Sequence, residues 1–166
     1  MLKPKALLLL PAIAGSLAFT CGGDARPAAS ADSLRPTPSA AAPVQTSCPA
    51  EADVSRIVGV TLKLTGPRSS CVYMSDDQES SASLMLRGAA SGDQLIKEAR
   101  EEAEGRQITV ESPGFGDRGA IWSQRGTATG AVVGNGKSAY VVLEMPGKEQ
   151  AATRAALLTL LKKGIE

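Results

Sequence analysis

A chain of 166 residues with 18 Lys and Arg against 17 Asp and Glu, no histidine and 3% aromatic residues has the size of one small domain plus non-globular segments. The balanced charge excludes the strong positive field that draws nucleic acid. Without histidine no Ser-His-Asp or Cys-His arrangement can exist, and the side chain most used as a general base near neutral pH is missing.

Residues 1 to 20 carry Lys3 and Lys5 ahead of an apolar run from Ala6 to Phe19, broken only by Pro11, Gly15 and Ser16. A charged start followed by an apolar stretch too short to span a bilayer predicts an export signal. It ends at Thr20-Cys21-Gly22-Gly23-Asp24, which resembles the signal junction of bacterial lipoproteins. The resemblance covers this junction alone. It implies that Cys21 becomes the lipidated first residue of the mature protein and holds it at a membrane of the cell envelope. Leu17 stands four residues before the cysteine where the lipoprotein pattern has three, and Thr20 replaces the usual glycine, alanine or serine. Cleavage after Ser16-Leu17-Ala18 is the rival, and would leave Cys21 as a free thiol.

Three cysteines in an exported chain leave one over, and the odd one falls at the signal junction. Cys48 and Cys71 are then expected to pair, closing a loop of roughly 24 residues worth about 3 kcal/mol on the chain-entropy model. The alternative, two free thiols, suits an oxidising compartment poorly. Two cysteines without histidine also make a poor metal site, so no metal or cofactor is expected.

From Gly22 to about Ser47 the chain is dominated by Ala, Pro, Ser and Thr, with too few large apolar residues to offset chain entropy. This predicts a tether with a typical span of roughly 25 to 30 Å. The organisation expected is therefore an export signal over 1–20, a lipidated cysteine and tether over 21–47, and one globular domain over 48–166. That domain carries 14 cations and 15 carboxylates, a net charge of −1.

Within it, Pro49 suits a first helical position, Val54, Ile57 and Val58 form a stripe, and Gly59 is placed as a stop, predicting a helix over about 49–58. Short strands follow over 60–64, 70–74 and 83–87, separated by Gly66-Pro67 and by a polar run from Ser75 to Ser80. Ser91 with Gln94 has capping-box spacing, and Leu95, Ile96, Ala99 and Ala103 share one face of a helix that Gly105 would end. Its other face, Lys97, Glu98, Arg100, Glu101, Glu102 and Glu104, reads as solvated. Then come strands near 107–110 and over 120–124, a hairpin of about 127–133 with 138–145, and a helix over about 149–163 ending in Lys162, Lys163 and Gly164.

Two stretches invite a nucleotide reading. Gly136-Lys137-Ser138 offers three parts of a phosphate loop, but the glycine that should stand five residues earlier is Ala131, and the residues after Ser138 are strand-like where a helix is needed. Gly134-Asn135-Gly136 between valine-rich runs predicts a tight hairpin instead. Gly114-Phe115-Gly116-Asp117-Arg118-Gly119 matches GxGxxG by letter. It follows a proline and precedes a strand, so it too predicts a turn.

Hairpins clustered between helices, without βαβ alternation, predict an α+β fold: an antiparallel sheet with helices packed on one face, a two-layer sandwich. A cysteine opening a short glycine-stopped helix, Cys71-Val72-Tyr73, the turn Gly114 to Asp117 ahead of a strand with Trp122, and an Ala/Leu-rich closing helix together look like small actinobacterial lipoproteins of unknown function and related extracellular sensor domains. That resemblance implies an exported, disulfide-bridged α+β head.

The chemistry-bearing residues are few. No Ser-x-x-Lys occurs, and Lys137 at a hairpin tip would keep its ordinary pKa. Asp76, Asp77 and Glu79 share a loop and Asp117 lies apart; they read first as solvated or turn-capping acids, and as the acids of an envelope hydrolase only if two converge in a cleft. No calcium-loop pattern is present. Among the aromatics, Phe115 and Trp122 with Asp117 flank the glycine-rich turn and could line a groove for a peptide, lipid or glycan, although large rings in a small sheet are usually core. The expectation is a noncatalytic, membrane-tethered head that binds an envelope protein or small ligand. The alternatives are a carboxylate hydrolase and a structural subunit with an exposed apolar patch.

Overall fold

The computed structural model describes residues 47–66 and 70–166. The expectations for the export signal, for Cys21 and for the tether as far as residue 46 lie outside the described residues.

The first helix, α1 (Glu51–Val58), carries Glu51 and Asp53 in its first turn and stops at Gly59, whose φ of 71° is the left-handed conformation that glycine adopts without strain. It begins two residues later than the proline suggested, after Ala50. Pro49 instead offers its carbonyl to the Tyr73 hydroxyl at 2.6 Å.

Three antiparallel strands follow: β1 (Lys63–Leu64), β2 (Cys71–Met74) and β3 (Ser81–Gly88). The first is shorter than expected because α1 takes over its outer edge. The Ser55 hydroxyl accepts from the Leu62 N–H at 2.9 Å and lies 3.2 Å from the Leu62 carbonyl, and the Glu51 carboxylate accepts from the Leu64 N–H at 3.0 Å. Side chains thus occupy backbone groups that would otherwise invite another strand.

A short 3₁₀ turn (Ala89–Ser91) leads into α2 (Gly92–Gly105). That turn already gives Ser91 helical angles, so it makes no capping bond, and the Gln94 amide donates to Glu98 at 3.0 Å instead. At the other end the left-handed residue is Gln107 and not a glycine, with φ 58°. The N–H groups of Gln107 and Ile108 reach the carbonyls of Glu104 and Ala103, both at 2.9 Å, which is the Schellman closure. This closure consumes the start of the strand expected over 107–110, and only Glu111 pairs, bridging to Ile121.

Strands β4 (Arg118–Gln124), β5 (Thr127–Gly134) and β6 (Lys137–Glu144) form a meander, and α3 (Gln150–Ile165) closes the chain. Asn135 and Gly136 have φ of 53° and 71°, so the Gly-Lys-Ser stretch is a two-residue hairpin turn. Gly114 and Gly116 also take positive φ, and the Asp117 N–H donates to the Val133 carbonyl at 2.7 Å. Both glycine motifs are turns.

The six strands lie in the order β1-β2-β3-β6-β5-β4, every neighbour antiparallel. The α+β class and the antiparallel sheet are as expected; the layering differs. From β3 the chain crosses the sheet on α2, restarts at the far edge with β4, and returns until β6 lies beside β3. One face packs Val54 and Val58 of α1 and Leu157, Leu160 and Leu161 of α3 onto Ile121, Val132, Ala139 and Val141. The other packs Leu95, Ile96, Ala99 and Ala103 of α2 onto Ala120, Ala131 and Val133. The helices therefore cover both faces, in three layers. The cause is in β5, whose residues from Ala128 to Gly134 are all buried, as a strand covered on both sides requires.

The expected disulfide is present: Cys48 and Cys71 are bonded, with Cα atoms 5.4 Å apart.

Candidate functional site

Helix α2 and the sheet face beneath it concentrate what chemistry the head displays. At Gly92 the helix sits directly on β5, where a Cβ would come within 2.1 Å of Val133 Cγ2. With its apolar stripe pressed onto the sheet, the two flanks of the helix become the walls of two clefts.

Toward β4, Asp93, Lys97 and Arg100 stand at i, i+4 and i+7, with Ile96 below them. Together with Arg118 and Gly119 they line a cleft of about 340 Å³. Arg118 Nε donates to Asp93 Oδ1 at 2.6 Å; this bond and the Asp93 charge raise the guanidinium pKa further. Lys97 lies 3.5 Å from Glu101. Arg100 has no ion-pair partner among the described residues.

Toward β3, Ser91, Gln94, Leu95 and Glu98 face Met85 and Arg87 across a second cleft of about 310 Å³. Further along this flank Glu102 accepts from Arg106 at 3.4 Å and from the Tyr140 hydroxyl at 3.5 Å. Burial first, and then the charges of Glu102 and Glu98, push the Tyr140 phenol up to about 12. Lys97 and Arg100 thus lie on the β4 side of the helix, and Glu98 and Glu102 on its β3 side. Its end is pinned by Arg106, whose guanidinium carbon lies 5.1 Å from the centre of the Trp122 ring.

The expected groove of Phe115, Asp117 and Trp122 does not take shape as one surface. Strand alternation puts Trp122 on the α2 face with Ala120, while Ile121 points to the other side. Phe115 is half-buried against the core under α1 and α3. The two rings are separated by the sheet. Asp117 is exposed, and its backbone N–H is used by Val133. Trp122 is only 1% exposed, so the core reading of the aromatics describes it better.

The loop acids are also placed. Asp77 accepts from the Ser75 hydroxyl and from the Glu79 N–H at 3.1 Å, and the Ser75 bond above all lowers its pKa. Asp76 pairs with Lys63 at 2.7 Å. The other carboxyl that shifts, Asp53, is held down by its hydrogen bond with Lys163. A general acid needs the opposite shift. Among the described residues no group of three or more His, Cys, Asp or Glu could hold a metal ion, and no helix is long and apolar enough to cross a membrane.

Sequence reasoning passed over Lys97 and Arg100 as part of a solvated helix face and named Arg118 only as part of a glycine-rich turn. A signal was available for the first two: basic residues fall at one helical offset from Asp93 while Gln94, Glu98 and Glu102 share the other. Arg118 could be added only by the crossover that brings the start of β4 beside α2. Comparison of the chain with protein-family models, with curated proteins and with solved structures finds no match.

Proposed function

We propose that the protein is a noncatalytic lipoprotein of the bacterial cell envelope: a binding head joined through an Ala/Pro/Ser-rich tether to a lipid anchor on Cys21. The observation that carries this reading is the bond between Cys48 and Cys71. It consumes two of the three cysteines, suits an oxidising compartment, and leaves the thiol at the signal junction as the remaining one. The bond also lies where a tether would pull. It joins the first residues of the head to β2, so force on the tether enters the sheet through a covalent link and bypasses the short helix α1. The clefts beside α2 offer surfaces for a small ligand or an envelope protein.

The test is the intact mass of the protein from membrane and soluble fractions, before and after reduction. A diacyl or triacyl increment on a chain beginning at Cys21, with a gain of two protons on reduction, is expected. A chain beginning at Phe19 without lipid would overturn the anchor and leave a soluble secreted protein with a free Cys21.

A further inference from the structure

The two clefts beside α2 differ in one respect that bears on ligand chemistry. The β3-side cleft is lined by one cation, Arg87, and one carboxylate, Glu98. The β4-side cleft is lined by three cations and one carboxylate; Asp93 pairs with Arg118 and Glu101 stands 3.5 Å from Lys97, which leaves one unbalanced positive charge, that of Arg100, on a head whose own net charge is −1. Its volume of about 340 Å³ is enough for a small molecule. Its floor is apolar at Ile96, and the backbone at Gly119 forms part of the wall. Arg118 is drawn toward the cleft by its exposed ion pair with Asp93 at 2.6 Å. Arg100 carries a full charge with no carboxylate partner among the described residues.

We propose that the cleft between α2 and β4 binds a ligand with an oxyanion group, phosphate or carboxylate, next to a small apolar body. Arg100 and Arg118 clamp the anion from two elements of the fold, Lys97 adds a third positive charge at the rim, and the apolar part rests on Ile96. Asp93 has a double role: it draws Arg118 toward the cleft and competes with the incoming anion for it. The inference deepens the reading of the head as a binding module. It is independent of the anchor, so the mass measurement and the binding measurement fail separately.

Phenyl phosphate, which joins a phosphate to an apolar ring, is the probe. It is titrated into the purified, oxidised protein while backbone amide shifts are followed. Saturable shifts confined to the Asp93–Arg100 side of α2 and to residues 117–120 are expected. Arg100→Ala and Arg118→Ala each weaken binding about tenfold, the size of one lost charge-assisted contact. Asp93→Asn removes the competing charge and tightens it about threefold, an effect of roughly half that logarithmic size. Arg87→Ala, across the helix, leaves it unchanged. In a second arm, vesicles containing an anionic phospholipid replace phenyl phosphate. Vesicle binding weakened by Arg100→Ala and Arg118→Ala makes the anion a lipid headgroup, whereas binding of phenyl phosphate alone makes it a soluble ligand. Absence of a saturable response in both arms overturns the proposal, as does a response that Arg87→Ala weakens equally or that Asp93→Asn also weakens.

Discussion

Trp122 and Thr129 face each other in register across β4 and β5, on the sheet face that α2 covers, and neither the indole N–H nor the threonine hydroxyl has a hydrogen-bond partner among the described residues. They are 1% and 0% exposed. A buried polar atom without a partner costs about 1 to 3 kcal/mol. Thr129→Val keeps the shape and removes the unbonded hydroxyl, so it is expected to be neutral or to stabilise the fold by about 1 kcal/mol. Trp122 is the chain's single tryptophan, and its fluorescence during denaturant unfolding reads the change from the adjacent position. A loss of more than about 1 kcal/mol would mean that the hydroxyl is bonded in solution.

Tyr73 ties the entry of the domain to β2 through its bond to the Pro49 carbonyl, close to the disulfide. Burial, with a smaller contribution from Glu51, pushes its phenol up to about 12, and Tyr140 reaches about 12 as well. Unfolded phenols lose their protons near the ordinary value of 10.0. Below that pH both states keep the proton and the tyrosines contribute in full. Between about 10 and 12 the unfolded chain binds fewer protons, so stability falls as pH rises. Unfolding measured from pH 8 to 12 should show this decline. In Tyr73→Phe, destabilised by about 1 kcal/mol at neutral pH, the decline should be shallower; an equal slope would remove Tyr73 as a contributor.

Reduction of Cys48–Cys71, which are 23 residues apart in sequence, should cost about 3 kcal/mol. Denaturation with and without reductant measures it. The loss should be accompanied by faster proteolysis around α1, which the bond holds against the sheet, while β4, β5 and β6 stay protected. Equal stability in both states would show that the bond does not stabilise the folded head.

Gln107 closes α2 in the left-handed conformation, at φ 58°, where a side chain is disfavoured and glycine is not. It is exposed, so its side chain contributes no core packing. Gln107→Gly should therefore stabilise the protein by about 0.5 to 1 kcal/mol. A thermal or denaturant midpoint unchanged or lowered would show that glycine's extra freedom in the unfolded chain cancels the relief of strain.

Much of this architecture is legible in local chemistry. Gly59 ends α1 because its position demands a left-handed residue. Asn135 and Gly136 make a two-residue turn because both tolerate positive φ, and that alone separates a hairpin from a phosphate loop. The cysteine count pairs Cys48 with Cys71. Less legible were the ends of α2, where Ser91 was overruled by a preceding 3₁₀ turn and Gly105 by Gln107, since both outcomes depend on how the chain enters and leaves the helix.

The sequence by itself determined the α+β class and the antiparallel hairpins, because each follows from residues near one another in the chain, and it led to the disulfide once the third cysteine, Cys21, was assigned to the signal junction. Only the tertiary structure decided that α2 lies opposite α1 and α3, that Phe115 and Trp122 are separated by the sheet, and that Arg118 joins Lys97 and Arg100 beside one cleft. The crossover from β3 to β4 sets all three. Which face a connecting helix takes depends on the apolar area available on both sides of β5, a property of the assembled sheet and not of any one segment.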